Sequence, residues 1–223
     1  MGTQSKTLRR KSYTLEALVL RFTDAGGAVM ALTTDELLDS LPETFRYSEA
    51  LQHISGRQLR RLIDDGSVTA LARGLYRKSD WFGDEDLIEI AAKAPNATLC
   101  LRSALANHEL IDDIPAEIDI AIPRGSWTPE TTAPVRWRHF DTDTFNIGRG
   151  ELAVEGGRSI GLYSAERSII DAFRMRHLEG ADLANEALKR WLRRGGQPSE
   201  LLRMARSFPR TQTALRETLE ILL

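Results

Sequence analysis

Apolar positions along this chain follow a helical spacing first and a mixed spacing later. Leu15, Leu18, Val19 and Phe22 recur three and four apart, which predicts an amphipathic helix over Tyr13 to Ala25, stopped by Gly26-Gly27. Thr33 with Glu36 forms a capping box, so a second helix is expected to run to about Leu41, before Pro42. A further helical turn is expected around Ser48 to His53. Ser55 and Gln58 repeat the box, with Ile54 and Leu59 placed to staple the start of a third helix. At about 100° per residue, Leu59, Leu62 and Ile63 fall on one side of that helix and Arg57, Arg60 and Arg61 on the other. Gly66 suits the left-handed position past its last turn, and Ser67–Leu71 can then pair with Leu75–Lys78 across a tight turn at Arg73-Gly74.

The segment Ser79-Asp80-Trp81-Phe82-Gly83-Asp84 reads as a connector, and the pattern after it changes. Helices are expected over Asp86–Lys93 and Arg102–Glu109, and strands over Ala97–Leu101, Glu117–Ile122 and Val135–Phe140, with two more flanking Gly156-Gly157. From Ser164 the chain turns helical, over Ser164–Arg176, Gly180–Arg194, Pro198–Arg206 and Pro209–Leu222. The fold expected is α+β. An N-terminal winged helix-turn-helix domain, residues 1–80, precedes a mixed α/β domain, residues 81–223, with a helical C-terminal end.

Charge sharpens this division. The 223 residues are 42% hydrophobic and 28% charged, with a formal net charge of −2, which argues against a protein that coats nucleic acid indiscriminately. Residues 1–80 nevertheless carry 12 cations against 10 acids, whereas 81–223 carry 18 against 22, so the cationic share lies in the first part. Lys6, Arg9, Arg10 and Lys11 add a basic arm ahead of the first helix, suited to a minor groove or to simple solvation. The single Cys100 has no disulfide partner, and no signal peptide or long apolar run is visible, so a cytoplasmic location is expected.

The arginines of the third helix suggest the chemistry. Paired as Arg60–Asp64 and Arg61–Asp65, they would be ordinary surface support of roughly 0.2–0.5 kcal/mol each. Yet cations near the helix N-terminus and acids at its C-terminus oppose the macrodipole, at a cost of roughly 0.3–1 kcal/mol each. Arginines placed there can reach guanine edges or phosphates in a major groove. Ser55, Arg57, Gln58, Arg60 and Arg61 are therefore candidates to read or position on the groove, and Arg73, Arg77 and Lys78 to clamp flanking phosphates.

Four further stretches occur in an order that resembles the AbiEi family of type IV antitoxins, over roughly residues 13 to 222. They are Arg-Gly-Leu-Tyr from Arg73, Leu-Arg-Ser-Ala-Leu-Ala-Asn-His-Glu-Leu from Leu101, Ile-Asp-Ile-Ala-Ile-Pro from Ile118, and Ser-Ala-Glu-Arg-Ser-Ile-Ile-Asp from Ser164. The resemblance implies a winged-helix domain that represses the protein's own operon at repeats in double-stranded promoter DNA. It also implies a C-terminal domain that counters a nucleotidyltransferase-like toxin encoded next door, often without a stable complex. The Phe45 to Ile54 segment is longer than the family pattern, which leaves the aim of the recognition helix open. Arg167 and Asp171 match the family's Glu-Arg-x-x-x-Asp pattern and are expected to form a structural ion pair.

Other constellations are weaker. Arg102-Ser103 followed by Glu117-Ile118-Asp119 mimics a nucleotidyltransferase layout, but the glycine and a third carboxylate are missing. Asp119 reads more simply as an exposed residue alternating with Ile118 and Ile120. His139, Asp141 and Asp143 alternate as strand-borne metal ligands could, although loop solvation explains them as well. No catalytic residue, metal or cofactor is assigned. A degenerate nucleotidyltransferase and a ligand-responsive repressor without a toxin remain the alternatives to a DNA-binding antitoxin.

Overall fold

Two β-sheets and eleven helices organise the described residues of the computed structural model, which are 32–79, 84–154 and 158–223. The expected first helix and the basic arm with Arg9, Arg10 and Lys11 lie outside them. The chain from Thr33 onward forms one compact unit.

Helix α1 (Thr34–Asp39) starts from the expected box: the Thr33 hydroxyl accepts from the Glu36 amide at 3.3 Å, and Glu36 Oε2 accepts from the Thr33 amide at 2.8 Å. Strand β1 (Thr44–Arg46) and the single turn α2 (Tyr47–Ala50) lead to α3 (Gly56–Asp64). The expected hairpin follows as β2 (Val68–Ala72) and β3 (Leu75–Lys78), antiparallel and joined at Arg73-Gly74. Strand β1 was not anticipated. It pairs antiparallel with β3, giving the order β1-β3-β2 and closing an edge that a two-stranded ribbon would leave open. The Phe45 and Tyr76 rings stack across this pair at 6.0 Å. Leu37, Phe45, Leu59, Leu62 and Val68 form the core beneath.

Helix α4 (Glu85–Lys93) is capped by Asp84 and packs back onto the hairpin, with Ile88 and Ala92 buried against Leu75. Strand β4 (Thr98–Leu99) is only two residues long, because helix α5 (Leu101–Asn107) begins where the sequence pattern suggested the strand would end. Strands β5 (Ile118–Pro123) and β6 (Val135–Phe140), the turn α6 (Thr142–Phe145), and strands β7 (Arg149–Val154) and β8 (Arg158–Tyr163) complete a mixed sheet ordered β6-β5-β4-β8-β7. Alternation assigns its faces. Ile118, Ile120 and Ile122 join the cluster beneath α4, whereas Ala121 joins Leu101, Phe140 and Tyr163 on the other side.

Five helices follow, packed through α7 on α5 and on one another: α7 (Ala165–Arg174), α8 (Arg176–Glu179), α9 (Ala181–Arg193), α10 (Pro198–Ala205) and α11 (Pro209–Leu222). A single helix was expected over 164–176, but α7 stops at Arg174 and α8 is a separate turn. No described helix is long and apolar enough to cross a membrane.

The centre of this half is Arg167, fully buried with Asp171. Its Nε donates to Asp171 Oδ2 at 2.8 Å, and its Nη1 donates to the carbonyls of Thr144 and Ile147 at 2.6 Å each. The guanidinium lies 4.3 Å from the Tyr163 ring centroid and 4.5 Å from that of Phe208. Gly148 lies against its stem with φ +70°, and a Cβ there would sit 2.8 Å from Arg167 Cβ.

Gly148→Ala combines a strained backbone with that collision and should cost about 1–3 kcal/mol, read as a lower urea midpoint at unchanged slope. Glu89, 3% exposed, accepts from the Thr132 and Ala133 amides and from Lys93 Nζ at 2.7 Å. Burial works to raise its pKa, but Lys93 and the two amides overcome this and hold it below the ordinary value. Its stabilising effect is therefore present above the unfolded carboxylate pKa and is lost as pH falls through the depressed folded value. Glu89→Gln should be less stable than wild type at neutral pH, with a shallower loss between about pH 6 and pH 3 in urea titrations.

Candidate nucleic-acid interface

Helix α3 is held by both ends and one side. At its start the Ser55 amide donates to Gln58 Oε1 at 2.8 Å, and the Ser55 hydroxyl accepts from the Gln58 amide at 3.3 Å. At its end the Gly66 amide donates to the Ile63 carbonyl, with Gly66 at φ +80° as the stop requires. Leu59 and Leu62, 1% and 0% exposed, anchor the inner side.

The outer side holds Arg57, Arg60 and Arg61, all exposed around a shallow hollow shared with Asp64 and Asp65. The i,i+4 pairs that would make this an ordinary charged surface are not formed among the described residues. Asp65 instead accepts from the Ser67 amide at 3.0 Å. Ser67 is the main cause of its lowered pKa, with Arg61 adding a weaker electrostatic pull. The three guanidinium groups thus remain available to phosphate oxygens and base edges.

Arg73 is exposed at the hairpin tip beside Gly74 at φ +74°, and the Gly74 carbonyl accepts from the Tyr47 amide at 3.0 Å, fixing the turn. Arg77 and Lys78 are placed differently from the other cations. Arg77 pairs with Glu85 at 2.8 Å and Lys78 with Glu43 at 3.4 Å, and their side chains are only 17% and 12% exposed. Both spend their charge inside the fold. Gln58 likewise commits its carbonyl oxygen to the cap.

One neighbour of this surface had no signature in the sequence. Tyr47, about half exposed, places its hydroxyl 3.1 Å from where a Cβ on Gly56 would stand, at the first turn of α3. The turn of α2 and the loop after it bring Tyr47 there across a separation that no helical or strand period encodes.

The other candidate sites resolve into structural contacts. Asp119 is not exposed on a strand edge but 2% exposed, because its face of the sheet is covered by α5. Its Oδ1 accepts from Arg138 at 3.3 Å, and its amide donates to Ser103 Oγ at 2.8 Å. Burial pushes its pKa up, with Arg138 pulling the other way. Glu117 pairs with Arg136, and Glu179 with Arg138. Strand β6 ends before Asp141, which caps α6 by accepting from the Asp143 amide at 3.0 Å, so His139, Asp141 and Asp143 do not share a strand face. Among the described residues, no group of three or more histidines, cysteines or acids could hold a metal ion. No protein-family model and no curated protein matches the chain.

If the arginines of α3 are not structural, replacing Arg57, Arg60 and Arg61 together with Gln should leave stability within about 0.5 kcal/mol of wild type. Ser55→Ala, which removes the cap, should cost about 1 kcal/mol. Thermal or urea unfolding separates the two; a large loss in the arginine variant would make those residues part of the fold.

Proposed function

We propose that this protein binds double-stranded promoter DNA through a winged-helix unit in which α3 enters the major groove and the β2–β3 hairpin lies beside it. The observation that carries this reading is the row of exposed, unpaired arginines on a helix whose inner side and both ends are fully secured. Arg57 and Arg61 read or position on base edges, Arg60 supports them, and Arg73 at the hairpin tip holds the flanking backbone. Arg77 and Lys78 would first have to leave Glu85 and Glu43, so they contribute less.

The resemblance to type IV antitoxins extends this to an operon autorepressor that counters a nucleotidyltransferase-like toxin encoded beside it. Of the four stretches carrying that resemblance, the one from Arg73 forms the hairpin turn and the start of β3, and the other three build the second half of the molecule: Leu101–Asn107 is α5, Ile118–Pro123 is β5, and the stretch from Ser164 caps α7 and contains the Arg167–Asp171 pair. The engagement of Asp119 with Arg138 supports this reading over a catalytic one, since a metal-binding carboxylate would have to give up that cation.

Gel shifts on DNA from upstream of its own gene test the DNA-binding half. Affinity above random DNA is expected at moderate salt. Arg73→Ala should weaken binding on all sequences alike and reduce the salt slope by about 1, whereas Arg57→Ala or Arg61→Ala should relax sequence preference. Equal binding to promoter and random DNA would sink this assignment. The antitoxin half is tested by co-expression: growth arrested by the neighbouring nucleotidyltransferase-like protein should be restored by this chain and not by one truncated before Glu85.

A further inference from the structure

The corner where α7 and α8 meet the start of α11 takes no part in the DNA-binding surface, yet its side chains surround a hollow of about 470 Å³. Arg174, Arg176, His177 and Arg210 line it, with Thr211 and Leu178, and no carboxylate belongs to its wall. Arg174 is held in place from behind: its Nη1 donates to Asp171 Oδ1 at 2.5 Å, and its guanidinium lies 5.0 Å from the Phe208 ring centroid. Arg176 and Arg210 are exposed and in no ion pair among the described residues.

Two further observations point to an anion. Helix α11 is 14 residues long and starts with Phe208 as N-cap and Pro209 as its first residue, so no side chain caps its first turn. The positive end of its dipole therefore lies at this corner, although Pro209 has no amide hydrogen and the Thr211 amide donates to the Phe208 carbonyl. Independently, Thr211 in that first turn is 2% exposed and its hydroxyl has no hydrogen-bond partner, although Thr211 lines both this hollow and the smaller one beside it. Buried hydroxyls are normally satisfied, and an unsatisfied one beside three arginines lacks an acceptor. The smaller hollow includes Asp141 in its wall and is the poorer place for an anion.

We propose that this hollow binds a phosphate group, with Arg174, Arg210 and the Thr211 hydroxyl as its main donors. A phosphate dianion suits several converging donors better than a carboxylate does. The apolar surface of Leu178 and Met175 beside it fits the organic part of a small phosphomonoester. The site is independent of the DNA-binding reading.

Titration calorimetry of the full chain at fixed ionic strength, with inorganic phosphate and with phenyl phosphate, tests the proposal. Saturable binding with Kd of about 1 mM or below is expected. Arg210→Gln and Thr211→Val should each weaken it roughly tenfold, while Arg193→Gln, an exposed arginine on α9, should leave it unchanged. Thr211→Val removes a hydroxyl that bonds to nothing and keeps the side chain's shape, so it should fold; should it not, Arg210→Gln decides. Tighter binding of phenyl phosphate assigns an ester as occupant, and equal binding assigns free phosphate. Heats that do not saturate by about 10 mM with either probe, or Arg210→Gln binding as wild type does, would overturn the proposal.

Discussion

A fully buried arginine can remain charged only if the fold supplies it with several partners, and much of residues 84–223 does so for Arg167, whose Nη2 is its one nitrogen without a hydrogen bond. Its partners come from separate stretches of chain: Asp171 on its own helix, carbonyls at both ends of the α6–β7 connection, and rings from β6, β8 and the α10–α11 corner. Removing any one partner leaves a desolvated charge, so these segments hold one another in register. Gly148 belongs to the same constraint, because only a residue without a Cβ lets the connection pass the arginine stem. Tyr163 contributes twice, with its ring on the guanidinium and its hydroxyl donating to the Phe145 carbonyl at 2.8 Å.

Charge elsewhere divides by use. Arg46 donates to the Ala92 carbonyl, Arg158 pairs with Glu49 at 3.0 Å, and Arg77 pairs with Glu85. These tie the three-stranded sheet to α4 and the turn of α2 to β8, so the hairpin is seated on the rest of the unit as well as on its own small core. A DNA-binding hairpin fastened in this way would present Arg73 without the ordering cost that a loose arm incurs. The arginines of α3 stand apart from the tied set, and their exposure is the reason a partner carrying phosphate is proposed for them. The second cationic corner, at the start of α11, differs in kind: it is concave, includes a buried hydroxyl, and would enclose a small anion rather than lie along a duplex.

What could be read in advance was local. Both capping boxes, the stop at Gly66, the hairpin turn at Arg73-Gly74 and the i,i+4 Arg167–Asp171 pair depend on residues within a few positions of one another, and each took the expected form. Strand β1 has no signature in the sequence because three residues carry no usable alternation, and only the open edge of β3 makes them a strand. Asp119 is buried where alternation predicts exposure, because alternation reports which face a residue takes but not whether that face is covered. The cationic character of α3 was legible from its arginines, whereas the diversion of Arg77 and Lys78 to acids at Glu85 and Glu43 was not.

The amino-acid sequence by itself determined where helices begin and stop, which face of α3 is apolar and which cationic, and that the chain is α+β. Those properties rest on short-range hydrogen bonds and side-chain periodicity, which a linear pattern encodes directly. Tertiary structure alone decided which charges are spent and which are available, because pairing depends on segments that meet only after folding: Glu49 with Arg158 and Glu43 with Lys78. A candidate binding surface on this protein is defined by what its cations lack, and that is a property of the packed molecule.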